Sequence, residues 1–302
     1  MKTFAGRTAV ITGAGSGFGL EAARIAAQRG MHLALADVQQ DALDRAAAEL
    51  REGGAQVLAQ RVDVSKATEM EAFAQAVGAR FGAPGFVFNN AGIGAGGMIW
   101  ESTLKDWEWV LGVNLWGVIH GVRLFVPMMI EAEKRDPSFE GHVVNTASMA
   151  GLVNMPNMGV YNVSKHAVVS LTETLYQDLR LVSDRIGASV LCPFFVPTGI
   201  KDSERNRPEG LRDNRGLTKS QIIGRAMSEK AISSGKVTAA HVAGFVFDAV
   251  ENDRFYVYSH PKSLSGVQSR LEDVVQLRNP SDPFAARPEI GAQLKAQLRA
   301  AD

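Results

Sequence analysis

Short apolar segments alternate with longer helix-like stretches along most of this chain. The segments, rich in β-branched residues, are Thr8–Thr12, His32–Asp37, Val57–Asp63, Phe86–Asn89, His142–Thr146, Ala188–Cys192 and, after a helix-like Ala239–Asn252, Phe255–Tyr258. Buried parallel strands are short and apolar, and each needs a helical crossover to reach the next. We therefore predict an α/β fold with a doubly wound parallel sheet of about seven strands and helices on both faces.

The composition is that of an ordinary globular protein. The 302 residues are 46% hydrophobic and 21% charged, with a formal net charge of zero. A balanced charge argues against a nucleic-acid partner, which would need a basic surplus. The lone Cys192 excludes an internal disulfide and a cysteine-rich metal site. We expect a cytoplasmic protein with no signal peptide and no membrane-spanning segment, because no run of about eighteen apolar residues occurs.

A glycine-rich turn joins the first predicted strand to a helical Leu20–Arg29. Its sequence, Thr12–Gly19, is Thr-Gly-Ala-Gly-Ser-Gly-Phe-Gly. Glycine permits a tight turn and lets the backbone approach a pyrophosphate, while the N–H groups at the start of the helix attract the anion. Because the turn follows a strand and opens a helix, it predicts dinucleotide binding in a Rossmann-type fold.

The end of the second strand bears on the choice of cofactor. Asp37 lies twenty-four residues after Gly13, where a carboxylate accepts the adenosine ribose hydroxyls and repels a 2′-phosphate. Val38 and Gln39 follow it, and no basic residue lies beside it in the sequence. We predict NAD as cofactor rather than NADP. The alternative is that Asp37 caps the helix beginning near Gln40.

Tyr161 and Lys165 are spaced to lie one helical turn apart, on one face of a helix running to about Leu181. A tyrosine hydroxyl titrates near 10 and is too weak a base at neutral pH. A nearby lysine ammonium, together with an oxidised nicotinamide, would lower its pKa. The pair is therefore a candidate general acid/base site.

Taken together, an ordered set of motifs resembles the single-domain branch of the short-chain dehydrogenase/reductase family. The residues that carry the resemblance are Thr12–Gly19, Asp63-Val64, Asn89-Asn90-Ala91-Gly92, Asn114, Ser148, Tyr161 and Lys165. The match extends from residue 6 to about residue 258. The resemblance implies an oxidoreductase that transfers a hydride between a nicotinamide and an alcohol or ketone carbon.

The resemblance implies four catalytic residues. Tyr161 would be the general acid/base, and Lys165 would hold the nicotinamide ribose and keep the tyrosine acidic. Ser148 would polarise the substrate oxygen. Asn114, within an apolar helix, would bind a water that links Lys165 to solvent. An alternative for Asn114 is a hydrogen bond to a neighbouring backbone carbonyl, since an unsatisfied buried amide costs about 1–3 kcal/mol.

It also implies a set of cofactor-binding residues. These are Gly13, Ser16, Gly17, Phe18, Gly19, Asp37, Asp63, Val64, Asn90, Ala91, Gly92, Tyr161, Lys165, Pro193, Val196 and Thr198. Asp63 and Val64 would contact the adenine, and residues 90–92 would line the ribose. An alternative role for Asp63 is to cap a helix. Pro193, Val196 and Thr198 would lie around the carboxamide.

One departure from the family pattern concerns substrate contacts. Phe194 replaces the glycine that commonly follows the proline, and a bulky ring does not take a glycine-only backbone conformation cheaply. The loop is therefore expected to follow another path. Phe194 and Phe195 would then line the substrate site with Asn154, Ser148 and Tyr161, or fill core instead. Apolar walls with a few amides predict a bulky, mostly hydrophobic secondary alcohol, such as an aromatic, alicyclic or steroid-like one.

Two segments interrupt the strand–helix alternation within what we predict to be one domain, residues 1–302. Residues 197–235 carry a surplus of three basic residues. Because they leave the carboxyl end of a strand, we predict a substrate lid, with a solvated helical excursion as the alternative. Residues 260–302 form a C-terminal extension that packs on a subunit neighbour or frays.

The helix predicted at about 106–130 has almost no polar face. A helix that is apolar all round must be covered on both sides, and the sheet covers only one. We expect a second subunit to cover the other side, in a homodimer or homotetramer; the alternative is coverage by the C-terminal tail.

Three other functions are alternatives to an NAD-dependent alcohol dehydrogenase. A non-catalytic NAD(H)-binding redox sensor would show damage to the tyrosine, lysine and serine set, and none is visible. An NADPH-dependent carbonyl reductase would use the same site. A zinc alcohol dehydrogenase is disfavoured, because the six histidines lack ligand spacing and there is one cysteine.

Overall fold

A seven-stranded parallel sheet organises the described residues, 1–213 and 215–300 of the computed structural model. The strands are β1 Thr8–Thr12, β2 His32–Asp37, β3 Val57–Arg61, β4 Phe86–Asn89, β5 Gly141–Thr146, β6 Ile186–Cys192 and β7 Tyr256–Tyr258. Their order is β3-β2-β1-β4-β5-β6-β7, and every neighbouring pair is parallel. The predicted α/β, doubly wound Rossmann-type fold is confirmed.

Helices connect the strands and cover both faces of the sheet. They are α1 Gly17–Gln28, α2 Gln40–Glu52, α3 Ala67–Phe81, α4 Leu104–Leu111, α5 Gly117–Arg135, α6 Gly159–Val182, α7 Lys219–Ser233, α8 Ala239–Glu251, α9 Ser265–Val275 and α10 Pro288–Arg299. One apolar cluster packs α1, α2 and α8 on one face of the sheet. A second packs α3, α5 and α6 on the other face.

The predicted strand limits differ from the observed ones by one or two residues in four strands. β3 ends at Arg61, two residues before the predicted end. The N–H of Asp63 donates to the Glu69 carboxylate at 2.8 Å, which turns the chain away from the sheet. β5 and β6 begin one and two residues earlier than predicted, and β7 begins one residue later.

The predicted helix at 106–130 is a composite. A π-helical turn, Gly112–Trp116, separates α4 from α5. Among the described residues, Leu104–Arg135 is the one helical stretch long and apolar enough to cross a membrane, by length and composition alone. Half of its most apolar window is buried inside the fold. A core helix of a globular protein passes the same test, and α5 packs on α3 and on the sheet.

The described parts of residues 197–235 and of the C-terminal extension contact other elements of the fold. The first segment forms 3-10 turns at Gly199–Asn206 and Glu209–Leu211 and then α7. Arg207 attaches it to α4 through a buried ion pair with Asp106, 2.7 Å between Nη2 and Oδ1. In the C-terminal extension, α10 packs on α7 and buries Leu294.

The sheet order reverses between β1 and β4. Consecutive crossovers run to opposite sides at this point, which leaves a crevice at the carboxyl ends of the two strands. Cofactors bind at such switch points in open α/β sheets. The fold therefore places a candidate site beside the glycine-rich turn that follows β1.

Candidate active site

A cleft of about 170 Å³ opens at this switch point. Of the residues predicted to bind the cofactor, those that line it are Gly13, Ser16, Gly17, Phe18, Asp37, Asp63, Val64, Asn90, Ala91, Gly92, Tyr161, Lys165, Pro193 and Thr198. The structure thus brings together residues from five strand ends and from the start of α6.

The glycine turn has the backbone shape that the sequence predicts. Gly17 has a φ of +54°, which favours glycine, and opens α1. A Cβ at Gly19 would lie 2.1 Å from the carbonyl oxygen of Gly13, so Gly19 packs beneath the turn and does not line the cleft. Ser16, at the N-cap, makes no side-chain cap bond. The first N–H groups of α1 therefore remain available to an anion.

Asp37 is tied to the glycine turn. Its Oδ2 accepts the N–H of Gly15 at 2.8 Å, and its Oδ1 accepts the N–H of Gln39 at 2.9 Å. The N-cap of α2 is Gln39, so the alternative that Asp37 caps this helix is not what the structure shows. The carboxylate instead joins the ends of β1 and β2 at the cleft.

The end of β4 is fastened to the end of β1 by Thr12. Its hydroxyl accepts the N–H groups of Asn90 and Ala91 at 3.0 and 3.1 Å. Asn90 in turn donates its amide to the carbonyls of Thr12 and Gly13, at 3.1 and 3.4 Å. The Asn90 side chain therefore holds the glycine turn in place, a role that the sequence analysis did not assign to it.

Asp63 and Val64 lie on the cleft wall after β3. The Oδ1 atom of Asp63 accepts the N–H and the hydroxyl of Ser65, at 3.0 and 2.7 Å. Lys66, not Asp63, is the N-cap of α3, so the capping alternative for Asp63 is also not what the structure shows.

Tyr161 and Lys165 lie on the cleft floor, in the first two turns of α6. Lys165 is 2% exposed, and its Nζ donates to the carbonyl oxygen of Thr146 at 2.9 Å. The same Nζ lies 5.8 Å from the centroid of the Tyr161 ring. Ser148 does not line the cleft, but its side chain lies close enough to Tyr161 to act on the pKa of the phenol. The structure therefore brings the three predicted catalytic side chains together.

The direction of the Tyr161 pKa differs from the expected one. Burial raises the pKa of the phenol, and the nearby Ser148 side chain opposes this only in part. Burial also lowers the pKa of Lys165, to about 8. The expected lowering of the tyrosine pKa required both the ammonium and the positive ring of the cofactor, and the protein by itself favours the neutral phenol.

Asn114 lies behind the cleft wall, fully buried in the π-helical turn. Its Oδ1 accepts the N–H of Ile93 at 2.9 Å, and its Nδ2 donates to the Ile93 carbonyl and to the Ser164 hydroxyl, at 3.0 and 3.2 Å. Asn114 thus donates to a backbone carbonyl, as its alternative role required, but this carbonyl belongs to the loop after β4 and not to the helix. A Cβ built on Gly92 would lie 3.4 Å from Asn114 Oδ1 and 3.6 Å from Lys165 Nζ, so both side chains face this glycine.

The segment after β6 reaches the cleft only in part. Pro193 and Thr198 line it, whereas the side chain of Val196 is buried in the apolar core. The φ angle of Phe194 does not lie in the positive range that favours glycine, as expected for a residue with a bulky ring. Its ring packs edge-on against Phe195, 4.6 Å between centroids, and is 43% exposed.

The structure does not bring the predicted substrate-binding residues Asn154, Phe194 and Phe195 to the cleft. Asn154 is exposed on the loop before α6. The loop path that carries Phe194 is held by its N–H, which donates to Ser259 Oγ at 2.8 Å. This contact joins positions 65 apart in the sequence, so no local pattern could have indicated it.

Several cleft residues escaped the sequence analysis. Trp109 of α4 lines the cleft, as do residues of the first 3-10 turn after β6, namely Gly199, Ile200, Ser203, Arg205 and Asn206. The basic surplus of residues 197–235 was the one feature of the sequence that pointed to the residues of this 3-10 turn. Among the described residues, no group of three or more His, Cys, Asp or Glu side chains could hold a metal ion.

The comparison with known proteins agrees with this geometry. A family profile described as short chain dehydrogenase matches residues 7–209. The chain belongs to the short-chain dehydrogenase family. The resemblance found in the sequence is thereby confirmed, and with it the prediction of an oxidoreductase of the dehydrogenase/reductase type that acts on alcohol and ketone groups.

Relatives cover nearly the whole chain. A crystal structure of a short-chain dehydrogenase/reductase from Burkholderia phymatum in complex with NAD superposes with a TM-score of 0.91 at 50% identity, covering 94% of this chain and 100% of that one. The CLA biosynthesis dehydrogenase/reductase of Lactiplantibacillus plantarum is 33% identical over 278 residues, 91% of this chain and 95% of the relative. The 1-deoxy-11-beta-hydroxypentalenate dehydrogenase of Streptomyces exfoliatus is 34% identical over 270 residues, covering 89% and 88%.

Proposed function

We propose that this protein is an NAD-dependent dehydrogenase that interconverts a bulky, mostly hydrophobic secondary alcohol and its ketone, with Tyr161 as general acid/base. The observation that carries the proposal is a single cleft with the glycine turn and Asp37 at one end and Tyr161 and Lys165 at the other. An anion-binding helix start and a proton-transferring pair are the two parts such an enzyme needs in one place.

The cleft residues fit a dinucleotide. The uncapped start of α1 suits a pyrophosphate, and the Asp37 carboxylate suits two ribose hydroxyls. Residues 90–92 end β4 in a turn that contains the small Ala91 and Gly92 and would line the second ribose, while Asp63 and Val64 would contact the adenine. Pro193 and Thr198, which line the cleft, would hold the carboxamide, with Val196 packed in the core behind them. The NAD bound by the Burkholderia phymatum relative supports this assignment.

In the proposed mechanism, bound NAD supplies the acceptor or donor of the hydride. Tyr161 holds or releases the proton of the substrate oxygen. Because burial raises its pKa, the neutral phenol is the resting form and is ready to donate to a ketone oxygen. In the oxidative direction the phenol must release its proton first, and the Lys165 ammonium stabilises the resulting tyrosinate.

Ser148 and Asn114 position these groups. The Ser148 side chain, which acts on the pKa of Tyr161, would polarise the substrate oxygen beside the phenol. Asn114 holds the backbone of Ile93 in place next to Gly92. The space beside Gly92, which Asn114 and Lys165 both face, is where we place the water that passes protons from Lys165 toward solvent.

The substrate class rests on the apolar groups around the site. Within the cleft, Ile93, Trp109 and Ile200 offer apolar contacts to a large skeleton. The exposed Phe194 ring and its partner Phe195 lie outside the cleft, after β6, and would contact a substrate that extends beyond it. Asn154 would supply a polar contact at the rim. The relative named as a hydroxypentalenate dehydrogenase supports a bulky substrate.

Further proposals concern the whole chain. We propose that residues 1–302 form one domain, in which residues 197–235 act as a substrate lid and residues 260–302 as an extension that supports the lid through α10. We also propose that the protein works in the cytoplasm, as a homodimer or homotetramer. Trp116, half exposed in the middle of the composite helix, supports a covering subunit.

The test combines a Tyr161→Phe variant with a panel of aromatic, alicyclic and steroid-like secondary alcohols, each offered with NAD and with NADP. Loss of the proton-transferring hydroxyl is expected to lower kcat at least about 100-fold. Calorimetric binding of NAD should remain within about twofold of the parent, because the phenyl ring keeps the packing.

Four outcomes would count against the proposal. A Phe variant as fast as the parent would remove Tyr161 from the reaction. Equal or better turnover with NADP would favour a carbonyl reductase that uses NADPH. Activity confined to sugars or short polyols would exclude the substrate class. Tight NAD binding without turnover of any alcohol would favour the redox sensor.

A further inference from the structure

The charges on the cleft wall do not match the ligand that we propose for it. Of the described residues that line the cleft, four carry a formal charge: Asp37, Asp63, Lys165 and Arg205. They sum to zero, whereas a dinucleotide brings a doubly negative pyrophosphate. Either one of the two cations binds the phosphates, or the N–H groups of α1 bind them alone.

Lys165 is committed to the other end of the cleft. It is buried on the floor beside Tyr161, and its ammonium donates to the carbonyl of Thr146 at the end of β5. Arg205 is therefore the cation nearer to the glycine turn, and it comes from a part of the chain far from that turn in sequence.

Arg205 lies across the mouth of the cleft. Its Nη1 donates to the carbonyls of Gly199 and Asp202, at 3.2 and 3.0 Å, and its Nε donates to Gln39 Oε1 at 3.2 Å. Gln39 lies two residues after Asp37, on the opposite wall. The guanidinium thus connects the turn Gly199–Asn206 to the end of β2.

The same turn is anchored above the start of α1. Thr198, which precedes it, packs over Gly17: a Cβ built on Gly17 would lie 3.4 Å from the Thr198 methyl. Gly199 follows Thr198 and carries the carbonyl that holds Arg205. The guanidinium is therefore held by the residue that follows Thr198, and Thr198 itself packs on Gly17 at the start of α1, whose N–H groups suit a pyrophosphate.

We propose that Arg205 is a cofactor-binding residue that contacts the pyrophosphate of the dinucleotide from the lid side. This inference rests on the proposed function and adds a residue that holds the lid to the cofactor. The hydrogen-bond acceptors of Arg205 in the protein alone are neutral oxygens, and the nearest carboxylate, of Asp202, is 3.8 Å away. A phosphate oxygen is a stronger acceptor for a guanidinium than an amide oxygen, and its shape matches the planar fork.

The adenosine 2′-position is the competing location for this cation, because Gln39 lies near the ribose end of the cleft. The buried carboxylate of Asp37 argues against it, since it would repel a 2′-phosphate. The two anchoring carbonyls of Gly199 and Asp202 also hold the guanidinium on the lid and not on β2. The geometry thus favours the pyrophosphate.

The experiment uses ligands that separate the two phosphate positions. ADP carries the 5′-diphosphate without a 2′-phosphate, and 2′-AMP carries the 2′-phosphate without a 5′-phosphate. Affinities for NAD, ADP and 2′-AMP are measured by calorimetry for the parent chain and for Arg205→Gln and Arg205→Lys. Arg225→Gln is the matched control, because Arg225 is a lid arginine of similar exposure that does not line the cleft.

Loss of the guanidinium is expected to weaken NAD and ADP each about tenfold, equivalent to about 1.4 kcal/mol, and to leave 2′-AMP unchanged. Arg205→Lys should fall between parent and Gln, because it keeps the charge but not the fork. Three results would overturn the inference: unchanged affinity for ADP, a loss confined to 2′-AMP, or an equal loss in Arg225→Gln. Failure of the parent chain to bind NAD at all would instead refute the proposed function.

Discussion

Lys165 shows most clearly how a single residue connects stability to chemistry. Its ammonium is 2% exposed and has one backbone carbonyl, that of Thr146, as partner. Burial of a charge with so little compensation is unfavourable, which is why its pKa falls from 10.5 to about 8. The fold tolerates this charge beside Tyr161, which we propose as the general acid/base.

Lys165→Met is expected to be more stable than the parent at neutral pH. The folded parent releases the lysine proton near pH 8 and the unfolded chain near 10.5, so the free energy of unfolding of the parent rises with pH between these values. The advantage of the variant should therefore shrink by about 3 kcal/mol as the pH rises from 8 to 10.5. Urea unfolding at a series of pH values measures it.

The control for this experiment is Lys236→Met, which removes an exposed lysine. Its effect should be within about 0.5 kcal/mol of zero at every pH. A Lys165→Met advantage that does not change between pH 8 and 10.5 would show that burial does not shift this lysine.

At the scale of elements, the π-helical turn between α4 and α5 matters most for the site. The wider turn at Gly112–Trp116 aims the Asn114 amide at both backbone groups of Ile93. Ile93 follows Gly92 at the cleft, so the turn fixes the loop that ends β4. π-helical turns inside helices occur often at functional sites.

Asn114→Ala is expected to destabilise the fold by about 3 kcal/mol. It leaves the N–H and the carbonyl of Ile93 without their partner, and each unsatisfied buried group costs about 1–3 kcal/mol. The change is measured by urea unfolding at pH 7, with Asn279→Ala, an exposed loop position, as control. Equal stability of the two variants would mean that water replaces the lost amide.

At the scale of the whole molecule, acid stability depends on a histidine remote from the cleft. His142 of β5 is fully buried, and burial lowers its pKa to about 3. The Ser189 hydroxyl donates to the carbonyl of Arg254, so His142 Nε2 donates to Ser189, at 2.7 Å. The folded chain therefore keeps the neutral imidazole at a pH where the unfolded chain binds a proton.

This histidine is expected to make the fold sensitive to acid. Stability is lost as the pH falls from the unfolded value of 6.5 toward 3, by about 3 kcal/mol between pH 6.5 and 4. His142→Gln keeps a donor for Ser189 and should lose that part of the pH dependence. His241→Gln, at an exposed position, should retain it. The same slope in all three proteins would assign acid sensitivity to other groups.

Self-association is the other expectation at this scale. Sedimentation equilibrium should show dimers or tetramers, because Trp116 and Leu104 expose large apolar surfaces along one composite helix. Trp116→Glu should shift the mass toward the monomer. A parent chain that sediments only as a monomer would refute the proposed subunit contact.

The sequence alone determined the sheet, the glycine turn and the juxtaposition of Tyr161 and Lys165, the proposed reactive pair. Strands such as β1 and β2 were located without error because buried parallel strands are short, apolar and separated by helices, which is a local pattern. Tyr161 and Lys165 were found because helical spacing fixes which residues share a face. The family motifs then assigned the reaction type.

Only the tertiary structure decided which distant residues join this site. Arg205 donates to Gln39 across 166 positions, so a basic residue borders the cleft although the sequence places none next to Asp37. Asn114 bonds to Ile93 from a π-helical turn, which the hydrophobic periodicity of the sequence does not predict. The N–H of Phe194 donates to Ser259, 65 positions away, and its ring lies outside the cleft. Contacts between distant positions leave no trace in local composition, since they depend on how the packed elements meet.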